Sequence, residues 1–444
     1  NASLPRRRSR VRVPPPAPFL FEAYRPVQSG RAFLLPVCSF GGPPNCACKM
    51  TEEDLEYLLS PTGQEALSFA ASLPEDPLSM VEALRKRFGP KHAAVAAEQV
   101  CLRRKAKAKF SRADAMFFTR EGLEQSSAEV VSKHRAKRFS GMDTVADLCC
   151  GIGGDSIALA EQTGLLVGVD IDPLKVRLTK LNLEAYEVGA KALLFAGRAE
   201  DFDCDADAVF IDPSRRVGDK RIRRLEDTEP PMDAVYALCE RFGSVCLKAS
   251  PMLDDGRVPI PHELEIVSVA GEVREAVLWF GGFRTCRRRA TLLPEGITIT
   301  ENPDATAEVR PPGEYLLDPD GAVVRAHLID EAAVQLNAWK LDENIAYLSC
   351  SSPVFSPLAR CYRVLDLFPF GLKRLNRRLN ELGAGRVEVK KRGFPMPAEE
   401  VIRMLKVNGD RAITVVIARI GGGHTVFLCE PCGSSEGGFP DAQC

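Results

Sequence analysis

A turn rich in glycine follows an acidic residue at the end of an apolar segment. Its sequence is Asp147-Leu148-Cys149-Cys150-Gly151-Ile152-Gly153-Gly154-Asp155. Glycine lets such a strand-to-helix turn adopt positive φ and approach a ligand closely, and the helix N-terminus beyond it attracts an anion. Dinucleotide folds hold a pyrophosphate there, but with G-x-G-x-x-G spacing. Here the spacing is G-x-G-G, and Asp147 would repel a pyrophosphate but can hold an ammonium. The turn therefore suits a ligand with both an ammonium and a carboxylate.

A second acid, Asp170, ends the next apolar segment, about twenty residues further on. A carboxylate at such a strand end accepts hydrogen bonds from ribose hydroxyls. The two motifs together predict a site for S-adenosylmethionine, whose methionine end carries an ammonium and a carboxylate and whose other end is a nucleoside. An NAD-binding domain is the alternative interpretation.

Strand and helix patterns alternate around these motifs. Short apolar runs predict strands, at 144–148, 165–169, 192–195, 208–211, 244–247, 264–269 and 276–280. Helical patterns fall between them, at 155–161, 173–186 and 232–242. This alternation is typical of a mostly parallel, doubly wound sheet, so we expect an α/β domain over residues 141–295.

The rest of the chain divides by pattern. Residues 50–140 have helical periodicity and predict a helical domain. Residues 296–345 are rich in Pro, Asp and Gly and are expected to form a connector. Residues 346–432 predict an α+β module. Its predicted strands are at 345–349, 386–390, 412–419 and 425–429, and its predicted helices are at 372–382 and 398–405. Residues 1–49, which precede the first methionine, are interpreted as a disordered or non-native leader, with a basic targeting peptide as the alternative. The tail, 433–444, is expected to be disordered.

The glycine turn closely resembles the first motif of class I methyltransferases, and Val169-Asp170-Ile171-Asp172-Pro173 resembles their second. The resemblance implies that the methionine end of the cofactor is lined by Asp147, Cys149, Gly151 and Gly153, with Asp155 in the same turn. It also implies that Asp170 binds the ribose and Ile171 the adenine. The third motif usually has an acid after a glycine, but here Arg198 takes that place and Glu200 is the nearest substitute.

Upstream, the segment from Thr119 to His134 is similar to the one that precedes the fold in trimethylguanosine synthases and related RNA enzymes. That resemblance implies that the hydroxyl of Ser127 approaches the carboxylate of the cofactor. The alternative is an ordinary amphipathic helix that covers the sheet.

The fourth strand of the domain runs into Asp212-Pro213-Ser214-Arg215-Arg216. Ligands of parallel sheets lie at such strand ends, so Asp212, Pro213 and Arg215 are the candidate catalytic residues. Nucleic-acid amino-methyltransferases carry Asp/Asn-Pro-Pro-aromatic here, in which the polar residue accepts from the target amino group. Arg215 replaces the aromatic residue, and its guanidinium plane can stack on a base or contact a phosphate. The alternative is that Arg215 and Arg216 are solvated loop charges. Cytosine C5 methylation would need a nucleophilic cysteine in this loop, which contains none. The cysteine in the segment 347–351 lies beyond the predicted sheet, so it is not expected to be that nucleophile.

Three clusters of cations interrupt a chain that is otherwise neutral, with 59 basic and 60 acidic residues. One covers 103–112, one follows the catalytic loop, and one lies in the final module. Such clusters favour contact with phosphates over mere solvation. The candidate RNA-binding residues are Arg216, Arg221, Arg224, Lys373, Arg374, Arg377, Lys390, Lys391 and Arg392.

Residues 51–430 resemble bacterial class I methyltransferases with a THUMP-like domain at the C-terminus. The resemblance rests on Phe118–Gln125, His134–Phe139, the glycine turn, Asp212–Arg216 and Val389–Gly393. It implies a Rossmann-like methyltransferase sheet, an N-terminal helical domain and a THUMP-like α+β module that presents RNA. The expected function is S-adenosylmethionine-dependent methylation of a base in RNA (tRNA or rRNA) by direct transfer. A small-molecule or protein methyltransferase and a non-catalytic cofactor-binding protein remain alternatives.

The composition limits the remaining classes. Of the 15 cysteines, Cys149, Cys150, Cys246 and Cys361 lie among apolar neighbours, and the pairs at 429/432 and 46/48 each lack a second pair at zinc-site spacing. This favours reduced thiols in a cytoplasmic protein without a metal. No apolar run approaches the roughly 18 residues that span a bilayer, so no membrane partner is expected.

Overall fold

The computed structural model describes residues 50–214, 216–217, 220–221, 228 and 230–433. The chain divides into two compact units, residues 1–242 and 243–444. The predicted leader at 1–49 and the tail at 434–444 lie outside the described residues. None of the helices in the described part is both long enough and apolar enough to cross a membrane.

Six helices form the N-terminal part of the first unit. They are α1 (Glu52–Leu59), α2 (Pro61–Ala71), α3 (Pro77–Phe88), α4 (Ala93–Ala106), α5 (Arg120–Gln125) and α6 (Glu129–Ala136). A side-chain cap sets the start of α1: the Thr51 hydroxyl accepts from the backbone N–H of Asp54, and Asp54 accepts in return from that of Thr51. The apolar positions that predict these helices, such as Leu55, Leu58 and Leu84, are fully buried.

A parallel sheet with the order β3-β2-β1-β4 follows in the same unit. Its strands are β1 (Thr144–Leu148), β2 (Leu165–Asp170), β3 (Ala192–Ala196) and β4 (Ala208–Ile211). Helices α7 (Gly154–Gln162) and α8 (Pro173–Ala185) connect the first three strands. Strand β4 is followed by a hairpin of β5 (Arg216–Val217) and β6 (Lys220–Arg221), and then by α9 (Met232–Arg241). The strand order reverses at β1, which confirms the doubly wound arrangement and marks where a ligand binds.

A five-stranded arrangement with the order β11-β10-β8-β9-β7 opens the second unit. Its strands are β7 (Ser244–Ala249), β8 (His262–Val269), β9 (Glu272–Gly281), β10 (Arg288–Leu293) and β11 (Ile297–Thr300). Only β8 and β10 pair in parallel; β9 is antiparallel to β7 and to β8. The antiparallel pairing arises because Ala270 and Gly271, both at positive φ, form a two-residue hairpin loop.

A curved sheet of seven strands completes the second unit, in the order β13-β14-β12-β15-β18-β17-β16. The strands are β12 (Tyr315–Pro319), β13 (Trp339–Asp342), β14 (Ile345–Cys350), β15 (Ala359–Pro369), β16 (Ala384–Arg392), β17 (Arg411–Ile420) and β18 (Gly423–Pro431). All neighbours are antiparallel except β16 and β17. Leu375 of α12 (Leu372–Glu381) and Val401 of α13 (Ala398–Met404) pack in the core of this sheet.

The expected connector at 296–345 is wrong. These residues form β11, β12 and β13 together with α10 (Gly321–Arg325) and α11 (Ile329–Gln335). Pro319 and Gly321 obscure the strand pattern of this segment. Leu316 and Leu317, which lie in β12 just before Pro319, are nevertheless fully buried. The α+β module therefore begins before residue 346, because β12 pairs with both β14 and β15.

The seven-stranded sheet curves until its edge strand β16 reaches β12. Asp318 of β12 accepts hydrogen bonds from Lys390 Nζ (3.0 Å) and from the guanidinium of Arg392 (2.8 Å). These two cations lie over the rings of Tyr362 and Tyr347, respectively, which belong to the core inside the curve. Burial lowers the pKa of Lys390, but the Asp318 carboxylate outweighs it and the pKa is raised overall. One carboxylate thus closes the curved sheet.

We expect Asp318→Ala to lower the free energy of unfolding by about 2 kcal/mol, because it leaves two half-buried cations without their carboxylate. Urea unfolding followed by circular dichroism measures the change. The matched control is Glu272→Ala, which breaks an exposed pair with Arg274 and should cost less than about 1 kcal/mol. Equal urea midpoints for the two variants would contradict this role of Asp318.

Candidate cofactor and active site

The candidate site lies at the carboxyl ends of β1, β2 and β4. Asp147 of β1 is level with Gly168 of β2 and with Phe210 of β4 in the sheet register. Asp170 is the last residue of β2, and Asp212 directly follows β4. The sheet therefore brings together three acids that are far apart in the sequence.

The glycine turn adopts the backbone conformation that its sequence predicts. Cys149, Gly151 and Gly153 all have positive φ, at 83°, 58° and 85°. The amides of Cys149 and Cys150 both donate to the Val169 carbonyl, at 2.8 and 2.9 Å, which ties the turn to β2. A Cβ placed on Gly151 would meet no atom within 4 Å. The requirement for glycine at 151 is thus conformational, and the backbone there faces open space that a ligand can fill.

Asp147 is a fully buried carboxyl group that the fold satisfies only in part. Its Oδ2 accepts from the Ser156 hydroxyl at 2.5 Å, whereas its Oδ1 has no hydrogen-bond partner. Burial raises the pKa of Asp147 to about 8; the Ser156 hydrogen bond opposes this rise, and the charges of Asp155, Asp212 and Asp170 add to it. An unpartnered buried oxygen indicates a missing donor, and an ammonium supplies one.

Asp170 is buried, and its carboxylate is held by backbone amides. Its Oδ2 accepts from Gly151 N at 2.8 Å and its Oδ1 from Asp172 N at 3.0 Å. Each oxygen keeps a further lone pair, so the carboxylate can still accept from two ribose hydroxyls. The next side chain, Ile171, is 53% exposed, which leaves an apolar surface beside the ribose position.

A buried ion pair connects the predicted Ser127 to Asp155. The Arg135 guanidinium is 2% exposed and donates to Asp155 Oδ1 at 2.5 Å and to Ser127 Oγ at 3.1 Å. The Ser127 hydroxyl in turn donates to Asp155 Oδ2 at 3.1 Å. Arg135 also lies over the Phe210 ring at 4.9 Å. The sequence predicts that Asp155 binds the cofactor; in the structure its two oxygens accept from Ser127 and Arg135.

Sequence reasoning did not assign a site role to Arg135. The only signal in the sequence was its place in the His134–Phe139 segment. An arginine in a helix is normally exposed, so its residue type did not indicate a buried site. The side chain becomes part of the site only through its contacts with Asp155 and Phe210.

In the third motif, Glu200 forms an ion pair with Arg198, whose Nε donates to Glu200 Oε1 at 2.8 Å. The Gly197 amide donates to the Asp170 carbonyl at 2.9 Å, which joins this motif to the ribose position. Arg198 therefore neutralises Glu200 and does not replace the missing acid.

The loop after β4 is described in part. Asp212 is half-buried and Pro213 is buried. Arg215 and Arg224 lie outside the described residues. For Arg216 and Arg221 only the backbone is described, as a paired position of the β5–β6 hairpin.

No reactive thiol accompanies these acids. Burial and the charges of Asp170 and Asp212 raise the pKa of the Cys149 thiol well above its usual value. Cys350 ends β14 in the second unit, and burial raises its pKa to about 11. Both thiols therefore stay protonated and are poor nucleophiles. Within the described ranges, no group of three or more His, Cys, Asp or Glu side chains is arranged to hold a metal.

Three cations of the first basic cluster are structural, contrary to the expectation that the cluster contacts phosphate. Arg103 donates to the Met116 carbonyl, Arg104 to the Leu73 carbonyl, and Lys109 to the Leu123 and Ser126 carbonyls. These donors close loops of the helical part and are not available to a ligand.

The third basic cluster has two parts. Lys373, Arg374 and Arg377 are exposed on α12, with Arg374 over the Phe368 ring and Arg377 near Glu381. Lys391 is exposed and donates to the Phe394 carbonyl, whereas Lys390 and Arg392 are half-buried against Asp318.

The residues present fit S-adenosylmethionine. The free oxygen of Asp147 matches an ammonium, the open backbone at Gly151 can approach the methionine end, and Asp170 matches a ribose. This fit rests on the buried acceptor and on the turn geometry.

Comparisons with known proteins agree with this geometry. The family model of RNA cap guanine-N2 methyltransferases matches residues 142–236, a THUMP domain-like model matches 359–431, and a domain of unknown function matches 51–106. A solved structure from Porphyromonas gingivalis W83, described as a methyltransferase, has a TM-score of 0.69 at 20% identity and covers 83% of this chain and 98% of its own. This likeness shows the fold.

Two bacterial relatives give the sequence comparison. An uncharacterized S-adenosylmethionine-dependent methyltransferase of Mycobacterium tuberculosis is 36% identical over 365 residues, 78% of this chain and 99% of the relative. An uncharacterized RNA methyltransferase of Listeria monocytogenes is 28% identical over 130 residues, 28% of each chain. With the first relative matched along almost its whole length, this chain belongs to the class I S-adenosylmethionine-dependent methyltransferases that carry a THUMP-like domain.

Proposed function

We propose that this enzyme methylates a base in RNA, either tRNA or rRNA, by direct transfer to an amino group. The observation that carries the proposal is the match of residues 142–236, which contain both the glycine turn and Asp212, to RNA cap guanine-N2 methyltransferases. The THUMP-like segment and the RNA methyltransferase of Listeria support the same substrate class. The exposed cations of α12 provide phosphate contacts.

The cofactor roles follow from the contacts in the first unit. Asp147 Oδ1 accepts from the ammonium of the methionine end, and the turn at Cys149, Gly151 and Gly153 gives its backbone to the same end. Ser127, held by Arg135 and Asp155, approaches the carboxylate. When bound, S-adenosylmethionine supplies an electrophilic methyl group.

The nucleoside end of the cofactor has its own partners. Asp170 accepts from the ribose hydroxyls, and the exposed face of Ile171 covers the adenine. Glu200, paired with Arg198, lies in the motif that borders the adenine in related enzymes. These residues would hold the cofactor beside the end of β4.

Asp212 holds the target amino group at the end of β4. Its carboxylate would accept an N–H of that group and then take the proton that the nitrogen releases on methylation. Pro213 restricts the backbone beside Asp212, and Arg215 stacks on the base or contacts its phosphate. The rate comes from positioning and the exclusion of water, without a covalent enzyme intermediate.

Cofactor affinity should depend on pH through Asp147. Because its pKa is raised, the carboxyl group is protonated below about pH 8 and must lose its proton to accept from an ammonium. The affinity for S-adenosylhomocysteine should therefore rise between about pH 6 and 7.5, by up to about tenfold per pH unit. Isothermal titration calorimetry measures both the affinity and the proton released.

The matched variant for this measurement is Asp147→Asn, which keeps the shape but cannot ionise. We expect weaker binding of S-adenosylhomocysteine and no rise with pH. Wild-type affinity that is flat over this pH range, without proton release, would contradict the assignment of Asp147 to the ammonium.

Asp212→Ala should reduce transfer of tritiated methyl groups to total RNA on the order of 100-fold, because the target amino group loses its acceptor. Affinity for S-adenosylhomocysteine should stay within about twofold, since Asp212 is assigned to the substrate. The control is Asp205→Ala, which removes an exposed acid just before β4 and should leave transfer unchanged. Full activity of Asp212→Ala would remove Asp212 from the mechanism.

The same assay tests the substrate class. Labelling of extract proteins or metabolites, with RNA unlabelled, would favour a protein or small-molecule methyltransferase and sink the RNA proposal. RNA binding that falls steeply with salt, without any transfer, would identify a non-catalytic RNA-binding protein.

A further inference from the structure

A pocket of about 450 Å³ opens in the second unit, beside the closure of the curved sheet. Asp318 of β12, Arg360 of β15, and Lys390 and Arg392 of β16 line it, together with Ser356 and the hairpin residue Gly271. Its volume lies in the range of small-ligand sites. None of these residues belongs to the cofactor site at the ends of β1, β2 and β4.

Two of the cations in this pocket are held rigidly. Lys390 and Arg392 share the Asp318 carboxylate and lie over Tyr362 and Tyr347. Lys390 Nζ also lies 3.7 Å from Glu388 Oε1, but these two carboxylates cannot use all the N–H donors of an ammonium and a guanidinium. The remaining donors are preorganised, so a ligand would not have to order them.

Arg360 is the cation that lacks a carboxylate. It pairs with Asp318 across β12 and β15, so the two side chains leave the same face of the sheet. It is exposed, and within the described part of the chain it makes no hydrogen bond or ion pair. The pocket therefore presents one free guanidinium next to two fixed cations.

The carboxylates of the pocket limit the charge of a ligand. Asp318 is shared by Lys390 and Arg392, and Asp320 accepts from the Ala322 amide at 2.7 Å. Glu295, which also lines the pocket, is exposed. Three cations face three carboxylates, so the formal charge is balanced. This balance suits a singly charged phosphodiester better than a terminal phosphate or a nucleoside triphosphate, which carry more charge.

An exposed aromatic residue stands next to the pocket lining in the sequence. Phe355 is 73% exposed and directly precedes Ser356 and Pro357, which both line the pocket. The loop is tied down, because the Ser356 hydroxyl accepts from Leu358 N at 3.2 Å and the Leu358 carbonyl accepts from Asp320 N at 2.9 Å. An exposed ring on a fixed loop beside phosphate-binding donors is the combination that binds single-stranded nucleic acid.

We propose that this pocket binds one nucleotide of a single-stranded segment of the RNA substrate, with its phosphodiester against Arg360, Lys390 and Arg392 and a base stacked on Phe355. The inference rests on the proposed RNA function and adds a second point of contact to it. The bound nucleotide would anchor the RNA strand at the THUMP-like module.

The test measures binding of a short fluorescein-labelled single-stranded RNA to the full chain by fluorescence anisotropy at several salt concentrations. Arg360→Ala should weaken binding about fivefold and lower the salt slope by roughly one counterion. Phe355→Ala should weaken binding about fivefold or more without a change in salt slope, because stacking is not ionic. Phe355→Ala should leave the affinity for a double-stranded RNA unchanged.

The matched control is Arg363→Ala, which removes the same charge from β15 outside the pocket and breaks only an exposed pair with Glu430. It should bind RNA as the wild type does. Circular dichroism and affinity for S-adenosylhomocysteine verify that the variants are folded.

Two results separate this inference from the RNA function itself. If the wild type transfers methyl groups to RNA but Arg360→Ala and Phe355→Ala bind RNA like the control, the pocket assignment is overturned and the function stands. If the wild type labels only proteins or metabolites, the function fails and the inference fails with it. A loss shared by both variants, with the predicted difference in salt slope, supports the pocket.

Discussion

Four carboxyl groups crowd the ends of β1, β2 and β4 and the first turn of α7, and their repulsion constrains the whole site. Arg135 neutralises Asp155 and backbone amides hold Asp170, but Asp147 keeps one oxygen without a partner. Burial raises the pKa of Asp147, and the charges of the neighbouring carboxylates add to the rise. A cationic ligand relieves the repulsion, and S-adenosylmethionine carries positive charge on both its ammonium and its sulfonium.

The second unit has a comparable charge cluster, in which cations rather than carboxyl groups are crowded together. There the single carboxylate of Asp318 gathers Lys390 and Arg392 from the far edge of the sheet and closes the curve. The same ion pairs that stabilise the sheet leave preorganised donors beside the free Arg360. On the proposed assignments, stability and ligand binding are linked in one cluster, whereas in the first unit the buried Asp147 would trade stability for cofactor binding.

Several strands could be predicted because their burial is continuous and local. The bounds of β1 and β4 agree with the apolar runs at 144–148 and 208–211, since every residue in them is buried. Strand β10 was not predicted, because it begins with two arginines. Arg288 pairs with Asp255 and Arg289 with the fully buried Glu263, so a segment that resembles a charged loop lies inside the sheet. Its partners lie 26 residues or more away in sequence.

By itself, the sequence determined the glycine turn, the position of Asp170 at a strand end and the alternation of strands and helices around them. These depend on glycine conformation, on strand-end position and on local apolar patterns, all of which operate over a few neighbouring residues. Only the tertiary structure decided what each charge does. Arg103, Arg104 and Lys109 became loop closures and Asp155 became the partner of Arg135, while Arg360 was left free at a pocket. The reason is that the role of a charged side chain is set by its partner in space, and that partner is chosen by the packing of distant segments.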